Sequence, residues 1–211
     1  MQPVIFLDFD GVLNSLRSTL AYGGCGRTQF DPVAVSLMSR LAKEAGASVV
    51  ISSAWRIGND VMEMRAVLSR YSASLASRVI GLTPRLDGIR GAEIARWLAE
   101  NPSEHNGNFV IVDDDADMLD SQLPRFVQTR HRDGFGVPEY LRALAVIAPE
   151  HKDVTQLAWY LEDRPLSSAA RRLEWESQHG DRHQAPPPRD RRGCGPSAEL
   201  SPKIPRAHTG G

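Results

Sequence analysis

The chain contains little cysteine and no long apolar run, and these two absences exclude several classes of protein. Only two of its 211 residues are cysteines, Cys25 and Cys194, and they stand far apart. They form no CxxC pair and no metal-ligand spacing, so we expect neither a disulfide framework nor a zinc site. No stretch approaches the roughly 18 consecutive apolar residues of a membrane span, so no membrane partner is expected.

Two further absences concern targeting and charge. The first residues lack a basic segment followed by an apolar run and a small-residue cleavage site, so we expect a cytoplasmic protein rather than a secreted one. The formal net charge is only -1. No overall field therefore favours nucleic acid or an anionic membrane. The charge is uneven, however, because residues 166–211 carry a net +3 and residues 1–165 a net -4.

Residues 166–211 also differ in composition from the rest of the chain. Six of the 14 prolines lie between Pro186 and Pro205, and apolar residues are sparse there. Such a segment cannot bury enough apolar surface to offset its ordering entropy. We therefore predict one domain over residues 1–165 and a disordered Pro/Arg-rich tail over 166–211. A solvated tail is favoured over an RNA-binding one.

Apolar runs and helical patterns alternate along the predicted domain. Short apolar runs predict five strands, at Pro3–Leu7, Ala47–Ile51, Arg78–Leu82, Phe109–Val112 and Arg125–Thr129. Helical spacing predicts helices from Pro32 to Gly46 and over Asp60–Leu75, Gly91–Glu100, Pro138–Ile147 and Asp153–Glu162. This alternation predicts an α/β fold, a Rossmann-like parallel sheet with helices on both faces.

Residues suited to a binding site, most of them polar, follow three of the predicted strands at the point where each strand ends. These are Asp8, Asp10 and Gly11 after the first strand, Ser52 and Ser53 after the second, and Asp113, Asp114, Asp115 and Asp117 after the fourth. Because ligands bind at the carboxyl ends of parallel strands, these groups should meet at one edge. An acidic residue or serine in this position often only caps a turn or helix. All three groups together instead indicate a site for a hard cation such as Mg²⁺.

The same segments carry a family resemblance. Residues 6–14 (FLDFDGVLN) resemble the first motif of haloacid dehalogenase (HAD) superfamily phosphatases, which is DxDG after a hydrophobic strand. Residues 49–56 (VVISSAWR) resemble the second motif, and residues 109–114 (FVIVDD) resemble the fourth. Together with GAEIARWL and VDDDADM, the pattern is most similar to the HAD domain of Swiss-army-knife RNA repair proteins. The resemblance covers roughly residues 1–147.

The resemblance implies roles for the residues of the first two motifs. Asp8 would attack phosphorus and form an aspartyl-phosphate, and Asp10 would act as general acid and then general base. Gly11 would let the backbone pass close to the phosphate. Ser52 would hydrogen-bond a phosphate oxygen, with Ser53 as the alternative.

The resemblance also implies a metal site and a basic group. Asp113 and Asp114 would hold Mg²⁺ together with Asp8 and the backbone carbonyl of Asp10, whereas Asp115 and Asp117 could be caps or outer acceptors. The family's third motif is a Lys or Arg; Arg90 is the first candidate and Arg85 the second.

Two neighbours in the second motif carry separate predictions. Arg56 is predicted to contact a substrate phosphate or an RNA backbone. Trp55 is predicted to pack in the core.

These observations predict a Mg²⁺-dependent phosphomonoester hydrolase with a minimal cap. Its phosphorylated substrate could be an RNA or DNA end, because an uncapped site suits a bulky molecule. The alternatives are a small-metabolite or nucleotide phosphatase and a catalytically silent binding module in an RNA-processing complex. A signalling receiver is not expected, since its phospho-accepting Asp follows the third strand, where this chain has Thr83-Pro84-Arg85.

Overall fold

The computed structural model of the chain describes residues 1–22, 29–86 and 88–151. Within these residues the strands are β1 (Gln2–Leu7), β2 (Ser48–Ile51), β3 (Val79–Leu82), β4 (His105–Asp113) and β5 (Phe126–Gln128). The helices are α1 (Leu16–Ala21), α2 (Pro32–Glu44), α3 (Val61–Ser69), α4 (Ala73–Ala76), α5 (Arg90–Glu100) and α6 (Val137–Ile147). Short 3₁₀ turns occur at Ala54–Arg56 and Asp120–Arg125.

The five strands form one parallel sheet in the order β3-β2-β1-β4-β5. The predicted Rossmann-like α/β fold is confirmed. The central strand β1 is apolar throughout its last four residues, Val4 to Leu7, and all four are fully buried. Such a continuous apolar run is needed because both faces of a parallel sheet are covered.

The two faces of the sheet pack against different helices. On one face Ile5 and Leu7 belong to a large core that includes Met38 of α2 and Leu144 of α6. On the other face a smaller core contains Phe6 and residues of α5. The alternation of side chains along β1 therefore divides its residues between the two layers.

Helix starts follow the side-chain chemistry of the sequence. Asp31 accepts a hydrogen bond from the backbone N–H of Val33 at 2.8 Å, and Pro32 occupies the first helical position of α2. This is the predicted cap, and it satisfies one of the amide groups that a helix N-terminus leaves unpaired. Helix α5 has no such cap of its own, and its first amide, that of Arg90, donates to the Asp117 carboxylate at 2.9 Å.

Three elements differ from the predictions. The single helix predicted over Asp60–Leu75 is wrong: α3 ends at Ser69, and Ser72 caps α4 by accepting from the N–H of Leu75 at 3.1 Å. Strand β4 begins at His105, before the apolar run predicted at Phe109, with a register shift near its start. Helix α1 was not predicted, although Ser15 and Ser18 form a capping box at its start.

Several predictions fall outside the described residues. They are the helix at Asp153–Glu162 and the disordered tail over 166–211, which stay predictions. In the described part of the chain, no helix has both the length and the apolar character that crossing a membrane demands.

Backbone hydrogen bonds continue past the strand ends and align the polar residues that follow. The N–H of Asp8 donates to Val112 O at 3.1 Å, and that of Ser52 donates to Leu7 O at 2.9 Å. On the far side, Thr129 N–H donates to Asp113 O at 2.9 Å. Because the ladder fixes neighbouring chains about 5 Å apart, these residues stand side by side along the carboxyl edge of the sheet.

Candidate active site

Three carboxylates from two neighbouring strands meet at the carboxyl edge of the sheet. One oxygen from each of Asp8, Asp113 and Asp114 lies within 4.8 Å of the others. Asp8 is 4% exposed and Asp113 is fully buried. Burial and mutual repulsion both disfavour the charged forms of such groups, so a compensating positive charge is required.

The guanidinium of Arg90 supplies part of that charge. Its Nη1 lies 3.2 Å from Asp8 Oδ1 and 3.2 Å from Asp113 Oδ2, and it also donates to the carbonyl of Ser52. The contact with Asp113 has ion-pair distance but not hydrogen-bond geometry, since Asp113 Oδ2 has no hydrogen-bond partner within the described residues. The other predicted candidate for this role, Arg85, is exposed on the preceding loop.

The electrostatics of the site reflect its burial. Burial and the adjacent charge of Asp8 raise the pKa of Asp113 to about 8, against the opposing effect of Arg90. Burial also raises the pKa of Asp8, although Arg90 and a hydrogen bond from Ser53 act in the opposite direction. Burial acts to lower the pKa of Arg90, but the charges of Asp113 and Asp8 outweigh it and raise that pKa.

The donor set fits a divalent cation. When ionised, three carboxylates beside one guanidinium carry a net charge of -2, and all the ligand atoms are the hard oxygens that Mg²⁺ prefers. Asp113 Oδ2 is buried without a hydrogen-bond partner in the described part of the chain, as expected for an atom that a metal would contact. Asp8, Asp113 and Asp114 are therefore the residues that would hold the ion. The predicted contribution of the Asp10 carbonyl stays a prediction.

Gly11 is required by two features of the site. Its φ of +71° is a conformation that other residues seldom adopt. A Cβ at this position would also overlap the carboxylate of Asp114. The motif glycine therefore leaves room for a metal-ligand candidate from β4 to lie against the loop after β1.

The two serines after β2 have different surroundings. The hydroxyl of Ser53 hydrogen-bonds to Asp8 and accepts from the N–H of Trp55 at 3.4 Å. The Oγ of Ser52 is buried and has no hydrogen-bond partner among the described residues. Ser53, the alternative of the two predicted candidates, is thus the serine in contact with Asp8, and the predicted phosphate contact of either serine stays a prediction.

Arg56 is buried beneath the site rather than facing solvent. It forms an ion pair with the buried Glu93 of α5 and donates to the carbonyls of Ser53 at 2.7 Å and Thr83 at 2.9 Å. These bonds tie the loop after β2 to the loop after β3. The contacts give Arg56 a structural role, and its predicted contact with substrate stays a prediction.

Three residues at the site were not assigned to it from the sequence. The Trp55 indole N–H donates to Asp10 Oδ2 at 3.0 Å, and the Asn14 amide donates to Asp10 Oδ1 at 2.9 Å. His131 Nδ1 lies 3.0 Å from Asp114 Oδ2. Asn14 stands within the DFDGVLN segment and could have been suspected from it, whereas nothing in the sequence around His131 signals its position.

The two remaining acidic residues after β4 have local backbone roles. The N–H of Asp115 donates to Asp113 Oδ1 at 3.0 Å, and Asp117 caps α5 through Arg90. Neither belongs to the group of three carboxylates.

A cavity of about 1060 Å³ opens beside Asp114. Its lining includes the side chains of Arg17, Arg130, His131 and Arg142. In the described part of the connection between β1 and β2, the only helices are α1 and α2, and no cap domain is present. Of the three site carboxylates, Asp114 lines this groove, and the three guanidinium groups share it with the carboxylates of Asp133 and Glu139.

Comparison with known proteins gives one match. The family model described as "HAD domain in Swiss Army Knife RNA repair proteins" matches residues 4–139, which include the three clustered carboxylates and Arg90. Searches of curated proteins and of solved structures each returned no match.

The three-carboxylate cluster predicts stabilisation by Mg²⁺. At a concentration 100 times its Kd, a ligand of the folded state adds about 2.7 kcal/mol, or roughly 5–10 °C in Tm for a domain of this size. We expect that gain for the wild type and its near loss in Asp113→Asn, because a neutral amide replaces a buried ligand. Thermal unfolding with Mg²⁺ and with EDTA measures it.

Asp115→Asn is the matched control, since Asp115 is exposed and adjacent in sequence but outside the cluster. It should keep the wild-type gain. Full stabilisation of Asp113→Asn by Mg²⁺ would contradict the ligand assignment.

Proposed function

This chain belongs to the family of HAD domains in Swiss Army Knife RNA repair proteins, and from this premise we propose that it is a Mg²⁺-dependent phosphomonoester hydrolase. Domains of this family are generally hydrolases of the phosphatase type. The observation that carries the proposal is the group formed by Asp8, Asp113 and Asp114 with Arg90 between two of them. Asp10, two residues after Asp8, supplies a second carboxyl group for proton transfer.

In the first step, a carboxylate oxygen of Asp8 attacks the phosphorus atom. The new Asp8 O–P bond forms as the bond from phosphorus to the leaving oxygen breaks, and Asp10 donates a proton to that oxygen. Covalent catalysis of this kind replaces one difficult hydrolysis with two easier steps. Arg90, already 3.2 Å from Asp8 Oδ1, is placed to favour the ionised nucleophile and to bind phosphate oxygens.

In the second step, Asp10 accepts a proton from a water molecule that attacks the phosphorus of the aspartyl-phosphate. The P–O bond to Asp8 breaks, inorganic phosphate leaves, and the Asp8 carboxylate is restored. Asp10 can serve in both steps because it loses its proton in the first step and regains one in the second. Throughout, the Ser53 hydroxyl beside Asp8 can donate to a phosphate oxygen.

A bound Mg²⁺ would supply positive charge against the phosphate oxygens and the nucleophile, which reduces their repulsion. Asp8, Asp113 and Asp114 would hold it, and Arg90 provides the fixed positive charge that this chain contributes itself.

For the substrate, we propose a phosphorylated nucleic-acid end. Two observations support it. The site lacks a cap domain within the described residues, and the adjacent groove contains the exposed Arg130, which forms no ion pair within those residues. The other two arginines of the groove already pair with carboxylates, Arg17 with Asp31 and Arg142 with Glu139. Guanidinium groups suit phosphate oxygens in both charge and geometry. The family description, which names RNA repair proteins, points to the same class. A small-metabolite or nucleotide phosphatase and a catalytically silent binding module are the competing possibilities, and the presence of Asp10 argues against the silent module.

The reaction itself predicts metal-dependent phosphate release that requires Asp8. We expect release from an aryl phosphate and from RNA or DNA ends bearing 5′ or 3′ phosphate in Mg²⁺, no release in EDTA, and loss of at least about 10³-fold in Asp8→Asn, because the amide is not a nucleophile. Phosphate assay of the purified full chain measures each case.

Glu100→Gln serves as the control for carboxylate loss, since Glu100 is exposed on α5, pairs with Arg96 and does not line the groove. Hydrolysis by Asp8→Asn at the wild-type rate would exclude the proposed nucleophile. Metal-dependent turnover of the aryl phosphate without turnover of any nucleic-acid end would favour the metabolite phosphatase.

The groove predicts a separate effect on nucleic-acid substrates. Arg130→Ala should raise KM for a phosphorylated oligonucleotide by about fivefold. It should also lower the slope of log KM against log salt concentration by about one, as expected for the loss of one phosphate contact. It should leave KM for an aryl phosphate nearly unchanged, because that substrate does not reach along the groove. Steady-state kinetics at several salt concentrations measure both.

Arg96→Ala is the matched control for loss of a surface arginine. Arg96 is exposed on α5, pairs with Glu100, and does not line the groove. An equal rise in KM for both substrates in Arg130→Ala, or no rise at all, would contradict a nucleic-acid groove at this position.

A further inference from the structure

Both oxygens of the Asp10 carboxylate accept hydrogen bonds from neighbouring side chains. Trp55 Nε1 donates to Oδ2 at 3.0 Å, and Asn14 Nδ2 donates to Oδ1 at 2.9 Å. The two donors come from different segments of the chain, Asn14 from the loop after β1 and Trp55 from the 3₁₀ turn after β2. Together they fix the plane of the carboxylate.

The identity of the donors is determined by their other contacts. An indole N–H can only donate. The Asn14 amide is oriented by Gly11, whose backbone N–H donates to Asn14 Oδ1 at 3.1 Å. Oxygen must face that N–H, so the amide nitrogen must face Asp10. Each Asp10 oxygen retains a further lone pair after accepting one bond, so the arrangement orients the carboxylate without blocking proton transfer.

Trp55 is itself held in place by several contacts besides its bond to Asp10. Its ring packs edge-on to Phe9 with centroids 5.6 Å apart, and lies 5.5 Å from Phe30. Its backbone N–H donates to Ser53 Oγ, and its carbonyl accepts from Asn59 Nδ2 at 2.7 Å. The ring is therefore anchored in the aromatic core while its N–H points at Asp10.

We propose that Trp55 is a positioning residue for proton transfer by Asp10, acting with Asn14. This inference rests on the proposed function, in which Asp10 protonates the leaving oxygen and later deprotonates water. Proton transfer requires a heavy-atom separation of about 2.6–3.2 Å and a suitable direction. A carboxylate held at both oxygens keeps that direction, whereas one released at Oδ2 rotates about its side-chain bonds.

The inference distinguishes Trp55 from a tryptophan that only packs. Trp97 provides the comparison within the same chain: it is 5% exposed, lies in the other core, and packs edge-on to Phe6 at 5.5 Å. Replacing either residue by Phe removes aromatic area and one N–H. Only at Trp55 does that N–H reach a residue with a proposed part in the reaction.

The test uses leaving groups that differ in their need for a proton. With full-length enzyme in excess and Mg²⁺ present, the rate of leaving-group release in a single turnover is measured for p-nitrophenyl phosphate and for glycerol phosphate. An alkoxide leaving group depends on general acid catalysis, which is worth roughly 10²–10⁴-fold, and p-nitrophenolate needs little of it.

Trp55→Phe should slow release from glycerol phosphate about tenfold and from p-nitrophenyl phosphate less than about threefold. Trp97→Phe should lower Tm and leave the ratio of the two rates unchanged.

A second measurement examines the contact without using activity. In ¹⁵N-labelled protein, the Trp55 indole cross-peak is identified by its loss in Trp55→Phe, and it should shift in Asp10→Asn. An unmoved cross-peak overturns the inference, as does an equal slowing of both substrates in Trp55→Phe or no slowing of either.

Failure of the proposed function gives a different pattern. A wild type that releases neither leaving group, or an Asp8→Asn variant that releases both, overturns the function and with it the role given to Trp55. Normal Asp8-dependent turnover with an unchanged rate ratio in Trp55→Phe overturns the inference alone.

Discussion

The ion pairs of Arg90 with two buried carboxylates are the interaction on which the site depends. Asp8 and Asp113 stand on adjacent parallel strands, and the backbone ladder gives them no freedom to separate. Two carboxylates removed from water at such short range would not both ionise without a nearby cation. Arg90 reaches both from the first turn of α5, and the start of that helix is fixed in turn by Asp117. The position of one helix therefore affects the charge of both Asp8 and Asp113.

A second arginine, the buried Arg56, supports this arrangement. Arg56 donates to four loop carbonyls and pairs with Glu93, which lies on the same helix as Arg90. An isolated buried ion pair costs more in desolvation than it returns, unless further hydrogen bonds satisfy its groups. Here the backbone carbonyls provide those bonds. The same pair thereby holds the loops after β2 and β3 against α5. The first of these loops carries Ser52 and Ser53, and α5 carries Arg90.

The sheet and the acidic part of the site were predictable because local patterns determine them. Buried parallel strands produce unbroken apolar runs, and the residues that follow them must meet at one edge, which placed Asp8, Asp113 and Asp114 correctly as neighbours.

The split between α3 and α4 was not predicted, since the apolar spacing continues across Ser72 and only its capping bond ends the first helix. Trp55 was predicted to pack in the core, and its ring does contact Phe9 and Phe30. The bond from its indole N–H to Asp10 was not predicted, because the direction of that N–H depends on tertiary packing. His131 is brought to Asp114 by a loop more than a hundred residues from Asp8, a placement that no local pattern encodes.

The measurement that tests the central claim most directly is chemical trapping of the covalent intermediate. Enzyme mixed with substrate and Mg²⁺ is quenched in acid and treated with borohydride, which reduces an aspartyl-phosphate to homoserine, and the peptide containing residues 6–14 is examined by mass spectrometry. With p-nitrophenyl phosphate as the substrate, we expect homoserine at position 8 of the wild type and none in Asp8→Asn. We expect more of it in Asp10→Asn, because this leaving group needs little proton donation in the first step whereas the second step is slowed. Turnover of substrate without any modification at position 8 would contradict the account.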